Sequence, residues 1–377
     1  MNIIGIFIFH NVGQGLFYSG SLQISHNNVF NFVYDCGCTG SKPNLNNAVI
    51  LYKRLAGINK SKKIHLLILS HLHADHINGL SRLLEGGVQV DTMVIPYFSE
   101  DSKQLARIGS DRRDRFLQKF YDNPFDLPVR RIIIIGAPEN ERSEGIGENF
   151  NIDADEPSGP GQIFTGNNAV IKYRNFWEFS LENMPFPQSE INTYVQWLLA
   201  QGNGRTLSDL LQDRNFVKNL RTKTQKTFHA PYAHSLINRT SVMMLHKPIA
   251  KGLHRVSCGS PLIDIDSFYE QSSGTLYDSC CETLLTGDVE LYCSDSSTVI
   301  DGIQRQNREL LVLQYPHHGG YCGCACRFLN LRARRYIISY GLTNTYGHPN
   351  LNVISSLPPM HTVHVNEACS FSYQIIT

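Results

Sequence analysis

Between Ser70 and His76 the chain reads Ser-His-Leu-His-Ala-Asp-His, with three imidazoles and one carboxylate inside six residues. Side chains of this kind repel or desolvate one another unless a cation sits among them. The cluster follows directly on the apolar run Leu66-Leu67-Ile68-Leu69, the pattern of a buried strand that delivers its loop to a site. Imidazole and carboxylate are ligands for zinc, iron or manganese. His71 and His73 alternate, so both point one way from extended chain. Asp75 and His76 lie one step further on, placed for a second ion. A polar surface turn is the plainer alternative, but it leaves the apolar strand without a reason.

Bulk properties narrow the class. With 377 residues, 42% of them hydrophobic, the chain is long enough for one large or two ordinary domains. Lys+Arg 34 against Asp+Glu 33 gives a net charge of +1, which offers no global attraction to nucleic acid; any such binding must rest on a local patch. Met1 to Phe9 is apolar but lacks the basic start and small-residue cleavage site of a signal peptide. No run of 18 apolar residues exists, so no membrane span is expected. The expectation is a cytoplasmic protein whose ten cysteines are reduced.

Taken in order, Ile3 to Phe9 reads as a strand, Asn11-Val12-Gly13-Gln14-Gly15 as a turn, and Leu16 to Ile24 as its hairpin partner. Val29 to Tyr34 is a further strand ending at Asp35, a carboxylate that either anchors the loop or holds a metal ligand from behind. Leu45 to Leu55 has helical spacing. After the metal strand, a helix runs to about Leu84. Strands follow at Thr92 to Pro96 and Arg131 to Ile135, flanking a charged helical stretch, Asp101 to Tyr121. From 137 to 233 Gly, Pro, Asn and acidic residues dominate. This segment is expected to be an insertion of loop and helix, with helices near Glu190 to Ala200 and Thr206 to Leu220. Strands resume at Ser241 to Leu245, Thr283 to Thr286, Leu310 to Gln314, Arg335 to Ser339 and Thr362 to Val365. Two successive sets of strands and helices predict two stacked sheets with helices outside, an α/β sandwich.

The second half repeats the first cluster's logic. Leu284-Leu285-Thr286-Gly287-Asp288 ends an apolar strand in a carboxylate, and two cations ~3.5–4 Å apart need an anionic bridge, so Asp288 is the expected bridge. Tyr315-Pro316-His317-His318-Gly319-Gly320 and Tyr346-Gly347-His348-Pro349 also end strands in histidines. His348 is the expected ligand. His317 and His318 are either ligands or donors to an anionic substrate. His234 would complete a three-histidine set with His71 and His73; His229 and His246 compete for that place, and a surface-loop role is the plainer alternative. Arg221 to Lys226 and Arg327 to Arg335 are basic clusters that contact phosphates or simply face solvent. Cys322-Gly323-Cys324-Ala325-Cys326 either joins Cys36 or Cys38 around a structural zinc or consists of free thiols.

At these residues the sequence resembles the metallo-β-lactamase superfamily, whose HxHxDH signature is present in full at His71, His73, Asp75 and His76. The turn at Asn11 to Gly15, Tyr34-Asp35-Cys36-Gly37, Leu284 to Asp288, Tyr315 to Gly320 and Tyr346 to Pro349 are similar to the hydrolase-like domain of bacterial competence DNA-uptake proteins. Asn11 stands where that group carries an acid, and the middle of this chain is longer. The resemblance implies a four-layer αββα sandwich. Residues 1–136 and 234–377 would form its two halves around the partly helical insertion 137–233. It also implies two divalent cations, usually zinc, with manganese or iron as alternatives. His71, His73 and His234 would hold one ion, Asp75, His76 and His348 the other, and Asp288 would bridge.

The expected function is a metal-dependent hydrolase, foremost a phosphodiesterase or nuclease acting on nucleic acid or nucleotides. Asp75, His317 and His318 are the residues expected beside the chemistry. Two alternatives stand: a hydrolase of small esters, lactones or thioesters, and a sensor or effector module whose insertion meets a protein partner.

Overall fold

The computed structural model describes residues 3–25, 28–101, 103, 119–120, 122–144, 148–153, 158–184, 188–213, 215–216, 219, 238–259, 276–291, 295–320 and 325–377. Its strands in chain order are β1 (Ile4–Phe9), β2 (Phe17–Ser25), β3 (Asn28–Cys36), β4 (Lys63–Ile68), β5 (Gln89–Pro96) and β6 (Val129–Ile135). Next come β7 (Asn149–Ile152), β8 (Gly161–Thr165), β9 (Asn168–Tyr173), β10 (Trp177–Asn183), β11 (Val242–Pro248) and β12 (His254–Gly259). The last are β13 (Leu276–Asp278), β14 (Thr283–Leu285), β15 (Glu309–Gln314), β16 (Arg332–Ser339), β17 (Thr362–Val365) and β18 (Phe371–Ile376).

These strands build two sheets. One has ten strands in the order β13-β12-β18-β1-β2-β3-β4-β5-β6-β8, the other eight in the order β17-β16-β15-β14-β11-β10-β9-β7. Strand alternation makes the layers. On β4, Leu66 and Ile68 face the other sheet, while Leu67 and the following Leu69 face outward. The central core, with Phe7, Phe32, Trp177 and Tyr373, lies between the sheets. Outside the first sheet, the helix Lys42–Leu55 buries Leu45, Ala48, Val49 and Tyr52 at helical spacing. Its start is fixed by Ser41, whose side chain accepts from the Asn44 amide. Outside the second sheet, the helices Thr298–Arg305 and Leu351–Ser356 bury Ile300, Ile303 and Val353. The result is an α/β sandwich of four layers, as expected. Among the described residues, no helix is long and apolar enough to cross a membrane.

The segment 137–233 departs from the loop-and-helix expectation. It contributes β7, β9 and β10 to the second sheet and β8 to the edge of the first. The strands are four to seven residues long, and turns rich in Gly and Asn hide them in the composition. β9 does carry the strand signal, since its burial alternates strictly from Asn168 to Tyr173. Helix is found at Gln188–Ala200 and Leu207–Gln212, which pack on each other through Ile191, Tyr194, Leu198, Leu207 and Leu211. Most of the predicted helix 101–121 lies outside the described residues.

Two blocks of parallel strands aim at the same edge. β3, β4, β5, β6 and β8 run parallel in the first sheet, and β14 to β17 in the second. Ligand sites gather at the carboxyl ends of such strands. Asp35, the 70–76 loop, Asp288, His317-His318 and His348 all stand at or beyond such ends. The two edges are tied directly: the Val242 amide donates to the Ser70 carbonyl at 2.7 Å, and the Tyr34 hydroxyl to the Val242 carbonyl at 2.7 Å.

Candidate metal centre

The 70–76 loop leaves β4 extended, with His73 at φ −77°, ψ 151°, and then closes into the single turn Ala74–Ile77. The His76 amide donates to the His73 carbonyl at 3.0 Å. That turn packs hard on the end of β3: a Cβ on Gly37 would lie 2.5 Å from the His76 nitrogen and the Asp75 carbonyl carbon. Only glycine allows this approach. Gly287, at φ +55°, likewise lets the Asp288 loop pass Ser70, whose Cβ would stand 2.6 Å from an added Cβ.

Three imidazoles are aimed in one manner. His71 has Nδ1 at 3.0 Å from the Ser70 hydroxyl. His76 has Nδ1 at 2.7 Å from Asp35 Oδ2. His318 has Nδ1 at 2.8 Å from the Ser339 carbonyl; a carbonyl only accepts, so the proton of the neutral ring sits on Nδ1 and Nε2 is bare. The three Nε2 atoms converge on Asp288, at 3.8 Å, 3.2 Å and 3.6 Å respectively. Asp75 Oδ2 stands 3.4 Å from His318 Nε2. Two groups have all their ligand atoms within 4.8 Å of one another: His71, His76 and Asp288, and Asp75, His76 and His318. His73 adjoins the first, its Nδ1 3.0 Å from His71 Nε2.

Asp35 organises the centre from beneath. It is fully buried and accepts from the Ser70 amide (2.7 Å) and the Ser70 hydroxyl (2.6 Å) as well as facing His76. Its φ of +56°, with +52° at His317 and +54° at His318, puts three residues of the site in the left-handed region. Such backbone costs of order 1–3 kcal/mol per residue and persists where surroundings over-determine it.

The donor set fits divalent cations. His76 Nε2, His318 Nε2 and Asp288 Oδ1 are buried and make no hydrogen bond. Orphaned atoms of this kind cost free energy unless something is bound to them. Charge tells the same story. Burial opposes charge on His76, yet Asp288 and Asp35 outweigh it and hold its pKa well above the usual imidazole value. Burial likewise opposes the charged forms of Asp288 and His318. His318 and His76 nevertheless push Asp288 well down, and Asp288 and Asp75 push His318 up. His71 goes the other way, driven well down by burial and by His76 and His73. The carboxylates demand positive charge in their midst.

The remaining expected residues are placed as follows. His348 stands one ring further out, in neither group. Its centroid is 5.0 Å from His317 and 6.2 Å from His318. Burial, then His317 and His318, lower its pKa to about 4. His317 is a quarter exposed, with Nδ1 3.7 Å from Glu290 Oε1 and Nε2 3.4 Å from Asn238 Nδ2. His234 and His229 lie outside the described residues. His246, the other competitor, is a core residue: the Trp177 indole donates to its Nδ1 at 3.2 Å and Tyr18 Oη meets its Nε2 at 2.7 Å. Cys322 and Cys324 and the basic stretch 221–226 also lie outside the described residues. In the other basic cluster, Arg327 is paired with Asp301, and Arg334 with Asp278 and Glu309; that favours the solvent-facing alternative. Sequence reasoning missed Ser70, Glu290 and the Ser339 carbonyl. Glu290 had a signal, two residues beyond Asp288; a backbone carbonyl has none.

The fold and the clustered donors together define a candidate metal centre between two sheets. Residues 27–148 match the family model described as the metallo-beta-lactamase superfamily, which spans β3 to the start of the middle segment and includes the whole 70–76 loop. No curated protein matches the sequence. Several solved structures also match, among them the following three. Zinc-bound PqqB from Methylobacterium extorquens is 9% identical, with a TM-score of 0.38, over 97% of this chain and 99% of that one. A long form RNase Z from yeast is 8% identical, with a TM-score of 0.34, over 90% of this chain; the chain spans 36% of that protein. The metallo-beta-lactamase MIM-1 from Novosphingobium pentaromativorans is 10% identical, with a TM-score of 0.29, over 95% and 84%.

Proposed function

We propose that this protein is a metal-dependent hydrolase that cleaves phosphodiesters. The observation that carries the reading is the common aim of three imidazoles. Ser70, Asp35 and the Ser339 carbonyl each hold one Nδ1 and turn its Nε2 onto Asp288. This is how metal-ligating histidines are oriented. His71, His73, His76, Asp75, Asp288 and His318 would hold the cations, with Asp288 between the two groups. His318 takes the position that the sequence motif assigned to His348. Divalent cations in such a site, zinc foremost, supply a water of lowered pKa and neutralise charge on phosphoryl oxygens.

The chain's own groups do the rest. Asp35 keeps His76 in one tautomer and one orientation. Burial of the Asp288 and His76 side chains excludes bulk water and strengthens their electrostatics. His317, a quarter exposed and facing Glu290, would donate a proton to the departing oxygen. His348 lies beside it as a second donor to the substrate's oxygens. The resemblance of Leu284 to Asp288, Tyr315 to Gly320 and Tyr346 to Pro349 to the hydrolase-like domain of competence DNA-uptake proteins supports a phosphodiester of nucleic acid as the substrate class.

The test is hydrolysis of bis(p-nitrophenyl) phosphate by protein of measured metal content, with p-nitrophenyl acetate in parallel. Turnover of the diester, lost by at least a hundredfold in Asp288→Asn, is the expected result. Protein that holds two ions and turns over the acetate alone is a hydrolase of small esters instead.

A further inference from the structure

Six large hydrophobic side chains are exposed among the described residues; two of them, Leu342 and Tyr346, lie on the loop that carries His348, and a third, Leu351, begins the helix that follows it. Scattered surface hydrophobics need no explanation; their concentration at the rim of a site does. Tyr346 is 65% exposed, and its ring centroid is 6.1 Å from that of His348. His348 in turn is one ring from His317 and from His318.

The loop is held in place rather than left to fold on binding. Asn344 Oδ1 accepts from the Tyr346 amide (3.1 Å) and the His348 amide (3.2 Å). Its Nδ2 donates to the carbonyls of Gly341 (2.5 Å) and His348 (2.6 Å). At one end Glu367 accepts from the Leu342 amide at 2.9 Å; at the other the Asn350 amide donates to Gly319 at 2.9 Å. The backbone around Tyr346 is therefore fixed while its ring stays open to solvent. A pre-set aromatic face costs little entropy to use.

We propose that Tyr346 is a stacking platform for a nucleobase, and that the substrate is a nucleotide or single-stranded nucleic acid with that base unpaired. The inference rests on the phosphodiester reading for its choice of ligand. Among the described residues, Arg327 and Arg334 of the basic cluster are paired with carboxylates, so these two do not supply the recognition. Stacking does, because every base has a face and an aromatic ring accepts any of them. The scissile phosphate then lies towards His317 and the metal ligands, a ring or two from Tyr346.

The experiment is fluorescence anisotropy of the full chain with a labelled four-residue oligothymidylate and with an abasic oligomer of the same length and charge. Intact length is checked on the same samples by electrophoresis. Tyr346→Ala should weaken binding of the thymidylate on the order of tenfold or more and leave the abasic oligomer unaffected, while Tyr346→Phe binds as the wild type. Equal affinity of wild type and Tyr346→Ala, or no preference for thymidylate over the abasic oligomer, overturns the inference and leaves the loop to a protein surface. Thermal unfolding shows whether each variant is folded. Hydrolysis of bis(p-nitrophenyl) phosphate separates the two readings. Turnover with binding indifferent to Tyr346 sinks the stacking platform alone. Base-dependent binding without turnover of any phosphodiester upholds it and sinks the phosphodiesterase.

Discussion

Which nitrogen of each imidazole faces inward decides the chemistry of this site. His318 and His348 both follow strands and both looked like ligands. The Ser339 carbonyl turns His318 Nε2 onto Asp75 and Asp288, while the His348 ring stands 6.2 Å from that of His318 and belongs to neither group of ligand atoms. After dialysis against zinc, His318→Ala should hold about one ion fewer per chain, and His348→Ala as many as wild type; mass spectrometry of the metal reads both. The reverse pattern would return His348 to the ligand set. Asp35→Asn should weaken zinc binding on the order of ten- to a hundredfold in a competition titration, since it removes the negative charge and one of the two acceptor oxygens behind His76 and Ser70. A different histidine governs acid stability. The Trp177 indole occupies His246 Nδ1, the atom a second proton would need, and burial lowers the pKa of His246 to about 3. The unfolded chain, with a histidine pKa near 6.5, takes that proton first as pH falls. Stability is thus complete above about 6.5 and lost on the way down towards 3, by about 2 kcal/mol at pH 5. Glutamine reproduces both hydrogen bonds without titrating. Urea unfolding at pH 7 and pH 5 should therefore show a drop smaller by about that amount in His246→Gln. An equal drop in both proteins would mean that His246 is not the group responsible.

Elements here are joined by contacts far apart in the chain, and the joints were the least readable part. The helix Thr298–Arg305 has its own cap in Ser297, whose side chain accepts from the Ile300 amide. It also has a second cap from another strand. Glu182, at the end of β10 and nearly fully buried, accepts from the Ser297 hydroxyl (2.5 Å), the Thr298 amide (2.6 Å) and the Val299 amide (3.2 Å). A carboxylate on these free amides also suits the helix dipole. Glu182→Ala should cost about 1–3 kcal/mol in denaturant unfolding; a loss under half a kcal/mol would show that Ser297 suffices. The helix itself was not anticipated, and nothing local to Glu182 marks it as a cap. The strands flanking the site were readable because their runs of Leu, Ile and Val are long and end in polar clusters. Those of 149–183 were missed, because short strands among Asn and Gly lack such runs, although β9 alternates.

At the scale of the molecule, two sheets are held together by a buried chain of polar groups as well as by apolar packing. Trp177 and His246 of the second sheet lead to Tyr18 of the first, then to Tyr373 at 2.7 Å, and Tyr373 returns to Thr283 at 2.6 Å. Tyr373 belongs to β18, which lies between β1 and β12 inside the first sheet. Deleting residues 370–377 strips both neighbours of a strand partner and takes Tyr373 from the core. Set against a typical total stability of 5–15 kcal/mol, this should leave no cooperative unfolding transition; a truncated chain that still melts cooperatively would show that β18 is dispensable. Cations bound only by the folded state should raise the melting temperature with their concentration, and a chelator should lower it. An unchanged melting curve would deny the centre its metal. The sequence by itself determined the parts with a one-dimensional signature: apolar runs that form strands, the helix read over Leu45 to Leu55, and the ligand types placed where strands end. Tertiary structure alone decided which imidazole nitrogens meet, which carbonyl orients them, and which strand lies between which. The reason is physical. Strand and helix periods are written between neighbours in the chain, whereas a ring's orientation is set by a hydrogen bond to a backbone atom that every residue carries alike.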